Sequence, residues 1–443
     1  MPRLLLVCET FPPDAAVGAK RTRRIAHHLS NLGWEVEVLT VTSSGYEHRD
    51  PTLLEREARY TVVRTFAVTP MLWGRRLRDR LRRSGTGIPG GPNGRPAGGA
   101  EAVGAAAAGS AESSLWERWR GLLTTPDEYV GWIPTAAAGG VMRAARPDLV
   151  LASGPPFSSH LAAALIARMR RVPLVLDYRD PWTTRFRTYA ATPLGRMERR
   201  AENWVLRRAA GVVATTKGIC ESVGALRTVP ARVIPNAYDL DQMRGIEPMT
   251  YEKFTLVYMG SFYAGRDPGP IVRALSFLKE RGRMPAGGLD LRVLGGTPGD
   301  VRRALAGTGI EEHVVFEGLL PYREAMRRVA GADVLLLVVG RNHAEMLPGK
   351  LFDYLATGRP VIGIGPIPSE AADLLKASGA GVMLDPDDVP GIASALQAHF
   401  LAPRRASAPL VSGGPYEAGR TMRDLDLFLR TFLGTERAGR SGG

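Results

Sequence analysis

The chain has 443 residues, too many for one ordinary core, and a normal globular share of apolar side chains, so two domains are the expectation. Its two cysteines, Cys8 and Cys220, stand far apart without metal-ligand spacing, which argues against a disulfide framework or a zinc site and suits a reducing cytosol. The formal net charge is +14, and arginine supplies all but six of the 58 basic residues. That bias can reflect composition alone, so it is no argument for nucleic-acid binding. It still favours anionic partners such as phosphates, nucleotides or acidic lipid surfaces.

The amino-terminal stretch "MPRLLLVCETFPP" has an apolar run too short for a signal peptide, and no run approaches the length of a spanning helix. A cytoplasmic protein is expected, soluble or peripheral on the inner face of the plasma membrane. "LLLVCE" reads as a short buried strand. "AKRTRRIAHHLSNLG" places Ile25, Leu29 and Leu32 at helical spacing and stops at Gly33, and "EVEVLTV" alternates as a strand. "DLVLAS", "LAAALIARMR", "PLVLDY" and "GVVATT" continue the alternation, the pattern of a parallel sheet with helices on both faces.

Residues 84–114 break that pattern, with nine glycines, eight alanines and three prolines. Such a segment cannot bury enough surface to offset its ordering entropy and reads as a disordered insert. Before it, Trp73, Leu77 and Leu81 fall at i, i+4 and i+8 under six arginines in residues 72–83. A basic amphipathic helix on an anionic membrane and an ordinary surface helix both fit this stripe.

After "VIPNAYD" a polar stretch runs to about Glu252, and a second strand–helix alternation begins at "FTLVYMGSF". The expected division is residues 1–238, a linker 239–253, a second domain 254–415, and a last helix 416–434 that could pack back on the first domain. Two doubly wound, Rossmann-like α/β domains facing across a cleft are predicted, with ligands at the carboxyl ends of the strands.

Within the second half, "AEMLPGKLFDYLATGRPVIGIG" (344–365) concentrates charge around one short helix. Pro348 suits a first turn, Gly358 suits the residue after the last turn, and Pro360 blocks continuation. At about 100° per residue, Leu351, Phe352 and Leu355 gather on one side. Lys350, Asp353 and Tyr354 gather on the other, so a packing face and a polar face are predicted. The helix amino end with Lys350 would suit an anion, with Asp353 beside it and Glu345 in the entering loop. A capped surface helix with solvated charges is the plainer alternative.

This stretch resembles the donor-site signature of retaining glycosyltransferases of family 4, which have the GT-B fold. The form "PGK" before "YLATGRPVI" looks like a bacterial branch acting on cell-surface glycans. The resemblance implies Glu345 at the donor sugar and Asp353 at the nucleotide ribose, where the family usually has the longer Glu. "CETFPPDAAVGAKRTRRIAHHL" is similar to the family's first strand, glycine-containing loop and helix, which implies Gly18 against the diphosphate and Arg21 near the helix start. "SGPPFSSHLAAALIARMRRVPLVLDYRDPW" is similar to the acceptor side, with His160 near the donor sugar and Asp180 orienting an acceptor hydroxyl. A structural histidine and a turn aspartate are the alternatives there. "YMGSFYAGRDPGPIVRAL" implies Arg266 at the diphosphate, in a role paired with Lys350.

The resemblance therefore implies an enzyme of the glycosyltransferase class. It would move a sugar from a nucleotide-diphosphate donor to a hydroxyl acceptor, in cell-surface polysaccharide or glycolipid synthesis. Glu345, His160, Arg266 and Lys350 would serve catalysis, without cofactor, metal or nucleic acid. A glycan or lipid-linked acceptor and an anionic membrane surface are the further expected partners. Three Asp-x-Asp triplets, at Asp239/Asp241, Asp385/Asp387 and Asp424/Asp426, read as local caps or solvated charges rather than cation ligands. Two rivals stay open: a nucleotide-sugar epimerase of the same architecture, and a non-catalytic membrane or glycan-binding subunit.

Overall fold

The computed structural model describes residues 1–42, 46, 49–54, 58–67, 124–143, 145–184, 192–262, 266–296, 298–404 and 411–434. The expected insert at 84–114 and the basic helix at 72–83 lie outside these residues. The chain divides into two compact units. One runs to Pro235 and takes in the segment from Gly419 onward; the other spans Asn236–Ala418.

The first unit contains strands β1 (Arg3–Cys8), β2 (Glu35–Val41), β3 (Thr61–Thr65), β4 (Leu149–Gly154), β5 (Leu174–Tyr178), β6 (Gly211–Ala214) and β7 (Ala231–Val233). They form one parallel sheet in the order β3-β2-β1-β4-β5-β6-β7. Helices α1 (Val17–Asn31), α2 (Ile133–Val141), α3 (Ser158–Arg170), α4 (Pro193–Leu206) and α5 (Lys217–Gly224) connect them. Both faces of the sheet are covered, which explains why β1 reads as an unbroken apolar run. Leu5 and Val7 enter one core, while Leu4, Leu6 and Cys8 enter the other. Each such side chain contributes about 1.5–3 kcal/mol on burial. α1 lays Ile25, Ala26 and Leu29 on the second core, and Gly33, at φ +90°, releases the chain toward β2.

The second unit begins with the short helix α6 (Leu240–Met243) and contains β8 (Phe254–Met259), β9 (Leu289–Leu294), β10 (Val314–Phe316), β11 (Val334–Val338), β12 (Val361–Ile364) and β13 (Gly381–Leu384). These are also parallel, in the order β10-β9-β8-β11-β12-β13. Its further helices are α7 (Gly269–Glu280), α8 (Pro298–Leu305), α9 (Tyr322–Gly331), α10 (Gly349–Thr357), α11 (Glu370–Ser378) and α12 (Val389–Leu401). The last helix, α13 (Ala418–Arg430), places Met422, Leu425 and Leu429 in a core of the first unit. Trp34 Nε1 donates to Asp426 at 2.6 Å there.

Strand order reverses between β1 and β4 in the first unit and between β8 and β11 in the second. In open parallel sheets this switch point is where neighbouring connections diverge and leave a crevice at the carboxyl ends. The polar residues of interest gather at both switch points.

Candidate functional site

In the second unit, β8 pairs with β11 over Leu256–Val257 and Val334–Leu335. Beyond these rungs the Tyr354 hydroxyl stands between the strands. It accepts from the Met259 N–H at 2.9 Å and donates to the Leu336 carbonyl at 3.2 Å. The ring is buried, and every residue of α10 from Leu351 to Thr357 is buried as well. The polar face predicted for this helix is therefore corrected. Tyr354 is a core residue tying α10 to the splayed sheet. Asp353 is 4% exposed and accepts from the Tyr322 hydroxyl at 2.9 Å, at the start of α9.

Lys350 alone of that trio behaves differently. It is the second residue of α10, and its Nζ lies 3.9 Å from the Tyr258 ring centroid. Among the described residues this ammonium has no hydrogen-bond partner. Burial, and then the charge of Arg266, push its pKa well below the ordinary lysine value. Two cations thus stand close together. The first turn of α10 has no acidic residue and no side-chain cap from Pro348, so its N–H groups add to the positive field.

The wall of this site is glycine for steric reasons. Gly260 sits at φ +132°, and a Cβ there would come 2.9 Å from Lys350 Nζ. A Cβ at Gly295 would fall 2.1 Å from the Gly260 carbonyl oxygen, so the loops after β8 and β9 lie backbone on backbone. Ser261 Oγ accepts from the Gly296 N–H at 3.1 Å and locks that approach. Glu345 is exposed in the loop entering α10, whose Ala344 carbonyl accepts from the Glu370 N–H at 2.9 Å.

The first unit distributes its expected site residues less simply. Arg21 is buried and bidentate to Asp177, with Nε to Oδ2 at 2.9 Å and Nη2 to Oδ1 at 2.7 Å. It also donates to the carbonyls of Pro235 and Ile234. Burial pushes the Asp177 carboxyl up, but Arg21 and Ser153 outweigh it and hold the group below the usual carboxylate range. Arg21 is thus an internal tie between α1, β5 and the chain after β7. The resemblance implied Arg21 among the donor-binding residues near the helix start; its guanidinium is turned inward.

His160, in α3, is fully buried. Its ring lies 4.8 Å from that of Tyr178 and 5.4 Å from that of Phe157, and Nε2 is 3.3 Å from the Asp177 carbonyl. Burial drives its pKa down to about 4, so it is neutral near pH 7. Asp180 is half-buried just after β5. Gly18 lies in the first turn of α1, where a Cβ would collide with Arg179. So Lys350, Arg266 and the amino end of α10 come together in the second unit, whereas Gly18, Arg21, His160 and Asp180 belong to the first.

Sequence reasoning passed over Arg179, Asp177 and Glu9. Glu9 follows β1 directly and is 2% exposed. Burial, and next the charge of Asp14, push its carboxyl up to about 8. The one available signal was an acid placed immediately after an apolar strand, at its carboxyl end. In two of the triplets the first aspartate serves local geometry: Asp239 accepts from the Asp241 N–H at 3.1 Å, and Asp385 from the Asp387 N–H at 2.8 Å. Asp426 of the third is corrected: it is buried and accepts from the distant Trp34 Nε1 rather than capping locally or facing solvent.

Residues 18–237 match the family model of the glycosyl transferase 4-like domain, and residues 253–400 match that of the glycosyl transferases group 1. The 2-deoxystreptamine glucosyltransferase of Streptomyces kanamyceticus is 27% identical over 186 residues, which is 37% of this chain and 45% of that protein. The match thus spans under half the length of that relative. Sucrose-phosphate synthase from Thermosynechococcus elongatus superposes with a TM-score of 0.59 at 14% identity, covering 99% of this chain and 96% of that one. The Anabaena HepE protein, in complex with UDP-glucose, gives 0.57 at 14% identity, with coverages of 97% and 100%. At such identities the likeness shows the fold, which is the two-domain GT-B architecture.

Proposed function

The chain belongs to the glycosyltransferases, its first part to the 4-like family and its second to group 1, and on that premise we propose that it is a retaining transferase using a nucleotide-diphosphate sugar. The observation that carries this reading is the pair Lys350 and Arg266 at the open amino end of α10, with no hydrogen-bond partner for the lysine among the described residues. An unanswered buried cation is costly, and an arriving diphosphate answers it. A UDP donor is the most economical choice, since the HepE relative is in complex with UDP-glucose.

Breaking the sugar–phosphate bond builds charge on the leaving diphosphate. Cations and helix N–H groups fixed before the reaction stabilise that charge more in the transition state than in the ground state. Glu345, exposed in the loop that enters α10, would face the sugar, and Asp353 the ribose, its carboxylate held by Tyr322. Gly18 would give the diphosphate a close backbone approach. His160 would act as a neutral ring beside the sugar, and Asp180 would orient the acceptor hydroxyl. The acceptor would be a growing cell-surface polysaccharide or glycolipid, met at the membrane surface, and the reaction would run without a metal ion.

Calorimetric titration with nucleoside diphosphates tests the core of this proposal. UDP should bind wild-type protein, and Lys350→Met should bind it at least about tenfold more weakly, the scale of one charge-assisted contact. Absence of binding to every nucleoside diphosphate would overturn it. Glu345→Gln should lower turnover more than UDP affinity. Conversion of a free UDP-sugar into its epimer without any acceptor would instead identify an epimerase.

A further inference from the structure

Away from both switch points, the first unit gathers three cations at one cleft. α3 ends at Arg170 and leads into β5, and α4 ends at Leu206 and leads into β6. β5 and β6 are parallel neighbours, so the two helix ends meet at the amino ends of these strands. They border an open cleft of about 410 Å³, lined by Ala167, Arg168, Val172, Arg207 and Arg208. That volume lies within the range of about 300–1,000 Å³ usual for small-ligand sites. His160, near the start of α3, and Asp180, just after β5, belong to the other edge of the sheet. The five residues of β5, at about 3.3 Å each, separate that edge from the cleft.

The charge of this cleft is one-sided. The acids nearest to its arginines along the chain are Asp177 and Glu202. Both are buried and committed elsewhere: Asp177 accepts from Arg21, and Glu202 from the Thr183 N–H at 3.2 Å. Among the described residues, none of Arg168, Arg207 and Arg208 has a carboxylate partner. Arg208 donates from Nη1 to the Trp204 carbonyl at 2.8 Å, and its Cζ stands 3.9 Å from the Trp204 ring centroid. That stacking fixes the plane of the guanidinium before any ligand arrives. Burial, and then the charges of Arg168 and Arg207, lower its pKa from the ordinary arginine value. A helix carboxyl end favours a nearby cation, but three guanidiniums around one cleft repel one another. The buried side chains of Ala167 and Val172 offer them no acceptor, whereas an anion between them turns repulsion into attraction.

We propose that Arg168, Arg207 and Arg208 form an anion site for a phosphate-bearing ligand, at the edge of the first sheet opposite its switch point. The guanidinium fork matches phosphate oxygens, and three forks suit a group carrying at least two negative charges. The site is separate from the proposed donor groups Lys350 and Arg266, and it does not rest on the transferase reading.

The test is calorimetric titration of the full-length protein with inorganic pyrophosphate at fixed ionic strength. A second arm measures cosedimentation with phosphatidylglycerol vesicles, phosphatidylcholine vesicles being the control. Arg168→Gln and Arg207→Gln should each weaken pyrophosphate binding by about tenfold, the scale of one charge-assisted contact. Arg168 and Arg207 are exposed, so both variants should fold, which circular dichroism checks. Arg171→Gln, an exposed neighbour outside the cleft lining, should change affinity less than about twofold. The effect of Arg168→Gln should be the same in a Lys350→Met background, so failure of the donor reading leaves this comparison intact. Pyrophosphate binding lost in the two cleft variants supports a free anion as the ligand, and vesicle binding lost in the same variants supports a lipid headgroup. Wild-type behaviour of both folded variants in both arms overturns the proposal. So does an Arg171→Gln effect as large as that of Arg168→Gln, which would mark a general field rather than a site.

Discussion

Arg21 and Lys350 occupy comparable places. Each is a basic residue in the first two turns of a helix that follows a parallel strand, near the switch point of its sheet. Their surroundings differ completely. Arg21 meets a buried carboxylate with both arms and two backbone carbonyls besides. Lys350 meets an aromatic face and a second cation. The lesson is that a cation beside a helix end is a binding group only when the fold leaves it unanswered. Position in the chain does not decide this; the partner supplied by a distant strand does.

Removing each cation sharpens the contrast. Arg21→Met should show the largest effect and should act on stability, since it strands a buried Asp177 carboxylate. Loss of one partner of such a pair costs about 3–5 kcal/mol, read as a lower denaturant midpoint. Folded Arg21→Met protein should bind UDP like wild type. Lys350→Ala and Arg266→Ala should leave the denaturant midpoint nearly unchanged and lower kcat/KM by roughly 10²-fold or more, about 2.7 kcal/mol of transition-state stabilisation. Near-wild-type kinetics in both would remove the distinction between the two regions.

The alternation of strands and helices was legible because fully covered parallel strands read as continuous apolar runs such as Leu4–Val7. The cap signals of α10 were legible too, since Gly358 adopts φ +62° as such a residue should. What the pattern could not show was the second side of α10. Asp353 and Tyr354 look like solvent-facing polar residues in a helical projection. Their partners are Tyr322, 31 residues upstream, and backbone groups of β8 and β11. Asp177 was invisible for the same reason. An aspartate within "LVLDY" shows its meaning only when Arg21, 156 residues away, is brought to it. A buried polar residue declares its role through its partner, and partners are set by topology.

Tyr322→Phe should have a smaller effect. It removes one hydrogen bond to the Asp353 carboxylate, and the stability loss should be about 1.5–3 kcal/mol if that oxygen gains no substitute. UDP affinity should fall with it if Asp353 serves the ribose. Loss of stability with unchanged UDP affinity would make Asp353 a structural residue, on the Arg21 side of the comparison.

The subtlest effect is on proton linkage. The folded-state pKa of Lys350 lies below its unfolded value of 10.5, so between the two values the unfolded chain binds more protons. Stability attributable to this group is therefore highest above 10.5 and is lost as pH falls toward the folded value. A diphosphate placed beside the ammonium favours its charged form and raises that pKa again. UDP binding should then take up a fraction of a proton, and affinity should fall as pH rises above the free-protein value. Calorimetry in buffers of different ionisation heat measures this uptake directly. Lys350→Met should abolish it. Identical proton uptake in wild type and Lys350→Met would show that the diphosphate does not sit at Lys350.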